Sequence, residues 1–416
     1  MPEYQPPEKL ALAVDRCVKC GLCLPECPTF RVSNIESASP RGRLALIEGL
    51  IDHALAPEDP VRRHLDSCLL CRRCERICPS GVAFGAIMDE ARARLLPPVR
   101  PPWYRSLVDR PARLRAATLL ARLAPPWLTR PVPHLHRQHR LARALYAEAP
   151  PRPGRYPPGV KARGRVGLFT GCATSAQQGG ALVAALRLLV HAGFEVVVPQ
   201  TAGCCGALAR HAGDSAAADR LAERNRAAFA GELDAVVSIA SGCGAHLADY
   251  APALPAPHQD ICQFLLQQGA LDRSDFAPRQ QHVLLHTPCT LENVLHGARW
   301  AADLLALVPS LVVTQVGTPG QCCGSAGDYL LRHPETADQL RDQLLADVLD
   351  SDADVLLTGN VGCAIHLAAG IAMLRQSVEV LHPVELLARQ LIERTASRYH
   401  ARIEERYRPE ITGEPI

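Results

Sequence analysis

One cysteine spacing occurs twice, in CVKCGLCLPECP from Cys17 to Pro28 and in CLLCRRCERICP from Cys68 to Pro79. In both copies three cysteines are separated by two residues each, and a fourth follows after three more residues. A proline comes directly after the fourth cysteine. Two copies of so regular a pattern are far beyond chance, and they indicate bound metal rather than inert core thiols.

The spacing is typical of ligands to [4Fe–4S] clusters. Three thiolates on one tight loop reach three irons of a cubane, and the fourth cysteine, held away by the proline, binds the neighbouring cluster. We therefore predict two [4Fe–4S] clusters with crossed ligation. The first ligand set is Cys17, Cys20, Cys23 and Cys78, and the second is Cys68, Cys71, Cys74 and Cys27. A pair of structural zinc sites would leave one cysteine and the proline of each copy unexplained.

The segment between the two copies is 40 residues long and contains the helical pattern RGRLALIEGLI from Arg41 to Ile51. This pattern favours an α-helical ferredoxin. Arg41 and Arg43 lie in the segment Ser-Pro-Arg-Gly-Arg, which we expect to be a Gly-turned loop. Two interpretations are open for these guanidinium groups: a solvated loop, or contact with an acidic partner or with the negative charge of a cluster.

The composition limits the classes of protein that are possible. The chain has 416 residues, 48% hydrophobic and 21% charged, which is ordinary for a folded multi-domain protein. Aromatic residues make up only 4%, too few for a nucleic-acid surface built on base stacking. We find neither a secretory signal nor an apolar run of membrane-spanning length, so we expect a cytoplasmic chain in which the abundance of cysteine (17 residues) reflects metal binding rather than disulfides.

The second half of the sequence is an internal duplication. RVGLFTGC, ending at Cys172, corresponds to HVLLHTPC, ending at Cys289, and the pair Cys204–Cys205 corresponds to Cys322–Cys323. A third cysteine position, Cys243 and Cys363, follows a buried β-run in both repeats. The apolar runs alternate with helical patterns, which predicts two α/β domains with largely parallel sheets.

Each repeat carries a set of cysteines where a strand ends and a helix begins. Such positions meet at one edge of a parallel sheet, and helix N-termini favour thiolate. The candidate ligands are Cys172, Cys204, Cys205, Cys243 and His246 in the first repeat and Cys289, Cys322, Cys323, Cys363 and His366 in the second. A further cluster or metal site, a redox-active cysteine pair and a remnant of a lost site all remain open. Cys262, which has no counterpart in the second repeat, is predicted to be an inert core thiol.

A basic, proline-rich connector separates the two halves. From Arg92 to Arg155 there are 14 arginines against Asp109 and Glu148, although the net charge of the chain is only +3. A solvated linker and a nucleic-acid contact are alternatives to the interpretation that we favour, which is peripheral contact with an anionic membrane, here the inner face of the cell membrane. The segment from Leu114 to Ala124 fits an amphipathic helix in that role.

These observations give an α/β fold overall with four parts. We predict an α-helical two-cluster ferredoxin domain (residues 1–96), a helical connector (97–162), and two duplicated cysteine-rich domains (163–280 and 281–416). The order resembles that of the glycolate oxidase iron–sulfur subunit, which is related to cysteine-rich subunits of anaerobic glycerol-3-phosphate dehydrogenase and of heterodisulfide reductase. One departure concerns the end of each repeat, which reads Cys-x-x-His where cluster-binding relatives have Cys-x-x-Cys; this puts a non-cubane cluster in doubt.

The resemblance implies an electron-transfer subunit of an oxidoreductase. The sequence has no Gly-x-Gly-x-x-Gly fingerprint after a strand, so flavin chemistry should lie on other chains. By resemblance, these are an FAD-containing oxidase subunit and a second FAD-binding subunit, with glycolate or a similar 2-hydroxy acid as donor and a quinone-linked acceptor. The alternatives are a lactate or glycerol-3-phosphate dehydrogenase subunit and a thiol–disulfide catalytic subunit of the heterodisulfide reductase type.

Overall fold

The structure is a computed structural model that describes residues 8–96, 105–108, 110–145 and 148–392. The beginning of the predicted connector (residues 97–104) and the end of the second predicted cysteine-rich domain (residues 393–416) lie outside the described residues.

The N-terminal part is helical. Its helices are α1 (Glu8–Asp15), α2 (Pro28–Ser33), α3 (Pro40–Ile51), α4 (Asp59–Asp66), α5 (Arg73–Arg76) and α6 (Phe84–Arg94). One core holds them together, with Ile47, Leu65 and Met88 fully buried. The helical pattern from Arg41 to Ile51 corresponds to α3.

Helix α3 begins inside the Ser-Pro-Arg-Gly-Arg segment, which is therefore a helix start and not the loop that we expected. The hydroxyl of Ser39 accepts a hydrogen bond from the backbone N–H of Gly42 (3.0 Å), and Pro40 occupies the first turn, where it lacks only an N–H that would be unpaired anyway. Gly42 is required because a Cβ there would lie 1.9 Å from the carbonyl oxygen of Glu36. The start of α3 consequently fixes the positions of Arg41 and Arg43.

From residue 105 to residue 143, the described part of the connector consists mainly of helices. It contains α7 (Arg105–Val108), α8 (Pro111–Leu123), α9 (Pro126–Thr129) and α10 (Pro133–Arg143). Helix α8 covers the predicted amphipathic segment. Among the helices of the described residues, none is long and apolar enough to cross a membrane.

The first repeat forms a five-stranded sheet. Its strands are β1 (Gly154–Tyr156), β2 (Gly164–Phe169), β3 (Phe194–Val198), β4 (Ala235–Ser238) and β5 (His258–Asp260), in the order β1-β3-β2-β4-β5. Only β1 is antiparallel. Since β1 lies within residues 97–162, this sheet begins before the domain boundary predicted at residue 163. The helices of this repeat are α11 (Ala173–Gln177), α12 (Gly179–His191), α13 (Ala207–His211), α14 (Ser215–Ala228), α15 (Ser241–Ala248) and α16 (Ile261–Gln268).

The second repeat forms a four-stranded parallel sheet with the same strand order. Its strands are β6 (Gln281–His286), β7 (Leu311–Gln315), β8 (Val355–Thr358) and β9 (Glu379–Leu381), in the order β7-β6-β8-β9. The helices are α17 (Cys289–Asn293), α18 (Trp300–Leu305), α19 (Tyr329–Arg332), α20 (Pro334–Leu349), α21 (Val361–Met373) and α22 (Pro383–Gln390).

The two repeats share one hydrophobic core, which joins residues of both sheets such as Val166 and Leu285. The last helix of each repeat packs on a helix of the other: α16 contacts α18, and α22 contacts α12. Such reciprocal packing follows from the duplication. The strands that precede the cysteines of both repeats therefore pack in one continuous core of buried apolar side chains.

Candidate cluster and cysteine sites

The second ligand set comes together around one cavity. Cys27, Cys68, Cys71 and Cys74 all line it, together with Thr29 and Phe84. Cys27 belongs to the first motif but is placed with the three cysteines of the second because α2 begins directly after it and its thiol turns inward, where it is buried. Burial raises the pKa values of the Cys71 and Cys74 thiols well above the ordinary range. Four inward-facing thiols around one cavity fit a cubane.

The first ligand set lies closer to the surface. Cys17, Cys23 and Cys78 pack against the same core, whereas Cys20 is exposed. Burial raises the pKa of Cys23. The guanidinium of Arg16 donates to the carbonyl oxygen of Ser80 (3.4 Å), so the end of the second motif lies against the start of the first, as crossed ligation requires.

Arg43 places a buried positive charge beside the second set. Its side chain is 1% exposed, and Nη1 lies 3.9 Å from the sulfur of Cys27. The remaining donors are occupied by Thr29 Oγ1 (3.0 Å), Ser67 Oγ (3.0 Å) and the carbonyl oxygen of His64 (2.8 Å). Of the two interpretations above, this contact favours a role toward cluster charge for Arg43. Arg41 instead forms an ion pair with Glu36 at the surface.

The second motif docks on the second repeat. The side-chain amide of Asn293, on α17, donates to the carbonyl oxygen of Cys71 (2.9 Å), and an ion pair joins Arg76 to Glu292. Cys71 and Cys322 belong to the same buried cluster, and their mutual repulsion as thiolates contributes to the raised pKa of Cys71. The ferredoxin part therefore presents its second set to the cysteines of the second repeat.

The first repeat brings its four predicted cysteines together at the carboxyl ends of β2 and β4. Cys204 accepts hydrogen bonds from the thiols of Cys172 and Cys205, which lower the pKa of Cys204 well below its ordinary value. Cys205 also contacts Cys243, and the bond to Cys204 raises the pKa of Cys205. The four sulfurs thus form a continuous group.

The second repeat has a similar group with a different pairing. The sulfurs of Cys323 and Cys363 lie 2.8 Å apart, and Cys322 contacts Cys289. The hydrogen bond from Cys363 lowers the pKa of Cys323.

The two predicted histidines also differ. Nδ1 of His366 lies 2.9 Å from the carbonyl oxygen of Cys323, and Nε2 lies 3.2 Å from Asp338, which Arg137 of α10 holds through two further bonds. Burial alone would lower the pKa of His366, but the bond to Asp338 raises it overall. Both ring nitrogens are engaged, so metal binding through His366 would require one of these bonds to break.

His246 has different surroundings. Its ring makes edge contacts with His211 and Tyr250 and lines a cavity, and burial lowers its pKa to about 4. A neutral imidazole beside Cys204 is chemically suited to ligation. In the described parts of the chain, however, no three His, Cys, Asp or Glu side chains are arranged to hold a single metal ion.

Several contact residues were not singled out from the sequence. Asn293 and the buried Arg92, which donates to the carbonyl oxygens of Cys68 (3.1 Å) and His211 (2.8 Å), connect parts that are far apart in the chain. The pair Asp89–His211 does the same. No local pattern marks these residues, because each has a partner more than 100 positions away. Cys262, in contrast, lies in the shared core, as an inert thiol would.

Comparison with known proteins agrees with this organisation. A family model described as "4Fe-4S dicluster domain" matches residues 13–82, and one described as "Cysteine-rich domain" matches residues 166–248 and 283–368. The predicted iron–sulfur cofactors and the duplicated cysteine-rich domains are thereby confirmed.

Full-length relatives are also found. The chain is 32% identical to the probable glycolate oxidase iron-sulfur subunit of Bacillus subtilis, over 89% of this chain and 92% of that protein. It is 31% identical to the glycolate oxidase iron-sulfur subunit of Escherichia coli, over 88% and 92%. One of the subunits of the fumarate reductase (CoM/CoB) of Methanothermobacter marburgensis is 26% identical over 88% of this chain and 69% of its own length. On this similarity, the chain belongs to the family of glycolate oxidase iron–sulfur subunits.

Proposed function

We propose that the chain relays electrons from an FAD-containing subunit that oxidises glycolate or a similar 2-hydroxy acid to a quinone-linked acceptor. The observation that carries the proposal is the proximity of the two kinds of cysteine site. The thiols of the second ligand set surround one cavity, and Cys71 of that set lies in the same buried cluster as Cys322 of the second repeat. Bound at the two ferredoxin sets, [4Fe–4S] clusters supply one-electron carriers. The chain itself has no flavin fingerprint, so the flavin is proposed to lie on other chains, and the family resemblance implies a second FAD-binding subunit in the complex.

The proposed ligands are those predicted from the sequence. Cys17, Cys20, Cys23 and Cys78 would hold one cluster, and Cys68, Cys71, Cys74 and Cys27 the other. The position of Cys27 among the second-motif thiols supports crossed ligation. Cys27→Ser should therefore damage the cluster of the second motif, and Cys78→Ser that of the first, in EPR spectra. Loss confined to the motif that contains the substituted cysteine would refute the assignment.

The cysteine-rich sets are proposed as additional redox sites. Cys172, Cys204, Cys205 and Cys243, with His246, form the first, and Cys289, Cys322, Cys323 and Cys363 form the second. His366 is proposed to orient the second set through Asp338 and not to bind metal directly, since both of its nitrogens are occupied.

The relay is tested with the assembled complex. Under anaerobic conditions, glycolate should reduce the EPR-active clusters of this chain within the turnover time when the flavin subunits are present, and not when they are omitted. D-lactate and glycerol 3-phosphate serve as competing donors. Reduction by glycerol 3-phosphate but not by glycolate would assign the chain to the alternative class of complex, and reduction by none of the three would contradict the proposal.

A thiol–disulfide catalytic subunit is the second candidate. The specific observation in its favour is the close approach of thiols in the second set, where the sulfurs of Cys323 and Cys363 lie 2.8 Å apart, because disulfide exchange requires one thiolate to reach another sulfur. Cys205→Ser and Cys323→Ser test it. If turnover is lost while the cubane spectra are intact, the cysteine-rich sets perform chemistry; retained turnover would exclude this candidate.

We further propose that the connector contacts the cytoplasmic face of the membrane. Leu120, Leu123, Trp127 and Leu128 on α8 and α9 are 59–81% exposed, and we call them the connector patch. Arg110, Arg113, Arg130 and Arg143 are exposed in the same segment, which has no acidic residue from position 110 to 147. Apolar side chains beside cations suit an anionic lipid surface.

Co-sedimentation with vesicles tests this contact. The chain should bind phosphatidylglycerol vesicles and bind pure phosphatidylcholine vesicles weakly, and a Leu120→Glu/Leu123→Glu variant should bind at least tenfold less. Val312, which is 58% exposed on β7, offers a matched control in Val312→Glu. Equal binding by all three proteins would contradict the proposal.

A further inference from the structure

A cavity of about 440 Å³ lies where three parts of the chain meet. The ferredoxin part contributes Leu70 and Asp89, the first repeat contributes Ser215 and His246, and the second repeat contributes Val294, directly after α17. Its size is that of a small-molecule site and far larger than a packing defect.

The cavity touches the elements that carry both kinds of cysteine site. Leu70 lies between Cys68 and Cys71 in the second motif, and His246 is one helical turn after Cys243 on α15. The corresponding histidine of the second repeat, His366, is instead fully buried and bonded to Asp338. The first cysteine-rich set is therefore the one beside which a small molecule can bind.

The charges of the lining select against an anionic ligand. Four carboxylates and two guanidinium groups line the cavity, and each carboxylate has a partner: Glu90 pairs with Arg94, and Asp89 lies 3.0 Å from Nδ1 of His211. Both cations are already paired, Arg72 with Asp249 at 2.9 Å and Arg210 with Asp219. Neither guanidinium group of the lining is therefore left to bind the carboxylate of a 2-hydroxy acid, so the donor substrate does not suit this cavity.

The rest of the lining suits an uncharged ring. Apolar surface comes from Leu70, Ala86, Ala218, Ala222, Ala245 and Val294. The hydroxyl group of Ser215 lines the cavity as a possible donor to a carbonyl oxygen, whereas the hydroxyl group of Thr290 already shares a 2.8 Å hydrogen bond with Ser241 and Nδ1 of His211 lies 3.0 Å from Asp89. The lining is thus mixed, with apolar side chains beside mutually paired charges, and an uncharged ring can contact the apolar part without breaking an ion pair.

We propose that this cavity binds the quinone ring of the electron acceptor. The inference rests on the proposed function, which requires such an acceptor. The overall reaction balances: oxidation of a 2-hydroxy acid to a 2-oxo acid releases two electrons and two protons, and one quinone takes up both pairs to give a quinol.

Direct binding of menadione, a neutral naphthoquinone, to the purified cluster-containing chain tests the proposal. Equilibrium dialysis should show one saturable site per chain. Ser215→Phe and Val294→Phe, which fill the cavity from two sides, should each weaken binding at least tenfold. Val312→Phe places the same side chain on an exposed strand position and should change binding less than twofold.

Unfolding temperature and cluster EPR of each variant establish that it is folded. If wild type shows no saturable binding, or if folded cavity-filling variants bind as wild type does, the inference is wrong. The proposed function fails separately: glycolate and the flavin subunits should still reduce the clusters of the cavity-filling variants, and a lack of such reduction in wild type would overturn the relay whatever menadione does.

Discussion

The side-chain amide of Asn293 donates a 2.9 Å hydrogen bond to the carbonyl oxygen of Cys71. Asn293 lies on α17, which begins at Cys289 of the second cysteine-rich set, and Cys71 belongs to the second ferredoxin motif. One buried side chain thus joins the loop of the second ferredoxin motif to the helix that begins at the second cysteine-rich set. Because their distance is fixed by a direct bond, electron transfer between them would not depend on domain motion.

Replacing Asn293 by Leu should loosen this junction. The substitution leaves the buried carbonyl of Cys71 without its donor, which destabilises the fold by about 1–3 kcal/mol. We expect faster loss of iron from the second-motif cluster in the presence of a chelator, measured by EPR. Thr318→Val removes an exposed contact of the neighbouring Arg73 (3.3 Å) and should have no measurable effect. Equal iron loss in both variants would show that the junction is unimportant.

Arg43 should raise the reduction potential of the second-motif cluster. A buried cation 3.9 Å from Cys27 Sγ favours the state with one more electron. Arg43→Gln should lower that potential by about 40 mV, the equivalent of roughly 1 kcal/mol for one electron, in an EPR-monitored redox titration. Arg43→Lys retains the charge and should recover most of the shift.

The matched control is Arg41→Gln. Arg41 is more exposed and paired with Glu36, so solvent screening should keep its effect small. A shift of the first-motif cluster instead of the second on Arg43→Gln would contradict the placement of Cys27.

How far the sequence predicts this structure is clearest at Cys27 and Gly42. The motif spacing predicts that Cys27 binds the cluster of the other motif, because three thiolates on one tight loop bind one cluster and the fourth cysteine is held away from it. The glycine and proline of the Ser-Pro-Arg-Gly-Arg segment are, by themselves, typical of a loop. The structure has a capped helix there, since the hydroxyl of Ser39 and the carbonyl of Glu36 determine the start of α3.

The glycines that follow the two vicinal cysteine pairs should differ in how much substitution by alanine destabilises the fold. Gly206 and Gly324 both have positive φ, at +92° and +81°. A Cβ at Gly324 would lie 2.3 Å from the carbonyl oxygen of Ala337, whereas at Gly206 the nearest contact is Ala218 O at 3.2 Å. Both alanine variants should lose about 1 kcal/mol to the left-handed backbone, and Gly324→Ala should lose at least about 1 kcal/mol more.

Thermal unfolding of the two variants measures this difference. Gly324→Ala should melt several degrees below Gly206→Ala. The reverse order of unfolding temperatures would mean that the backbone at Ala337 moves away from the added methyl group at little cost in free energy.

Glu385 should make the stability depend on pH. Burial raises the pKa of this carboxyl from 4.5 to about 7, while its Oε2 accepts a hydrogen bond from the backbone of His382 (2.7 Å). The folded state then holds a proton that the unfolded state releases, so stability falls as pH rises from about 4.5 to about 7.

Glu385→Gln should abolish that fall. Relative to wild type, the free energy of unfolding of the variant should increase on the order of 1–2 kcal/mol more at pH 8 than at pH 5. The difference is kept small because the carboxyl group is only partly buried and solvent screens its charge. Unfolding temperatures at the two pH values provide the measurement, and a gain that is equal at both would show that Glu385 titrates normally.

The sequence does not reveal the contacts between the ferredoxin part and the two repeats, or those between the repeats themselves. The duplication predicts two similar sheets, and the shared strands of the two sheets have the same order. The packing of α16 on α18 and of α22 on α12, however, depends on how the apolar faces of the two repeats fit together. The same holds for the cavity at His246, whose walls come from residues 70 to 294 of the chain. Neighbouring residues in the sequence carry no signal for such a site.

Iron and acid-labile sulfide per chain, measured on anaerobically purified protein together with low-temperature EPR after reduction, test the central claim most directly. A two-cluster relay requires at least about eight irons and eight sulfides per chain and two interacting [4Fe–4S] signals, with any excess iron held by the cysteine-rich sets. Zinc as the only metal, or about four irons with a single isolated signal, would contradict it.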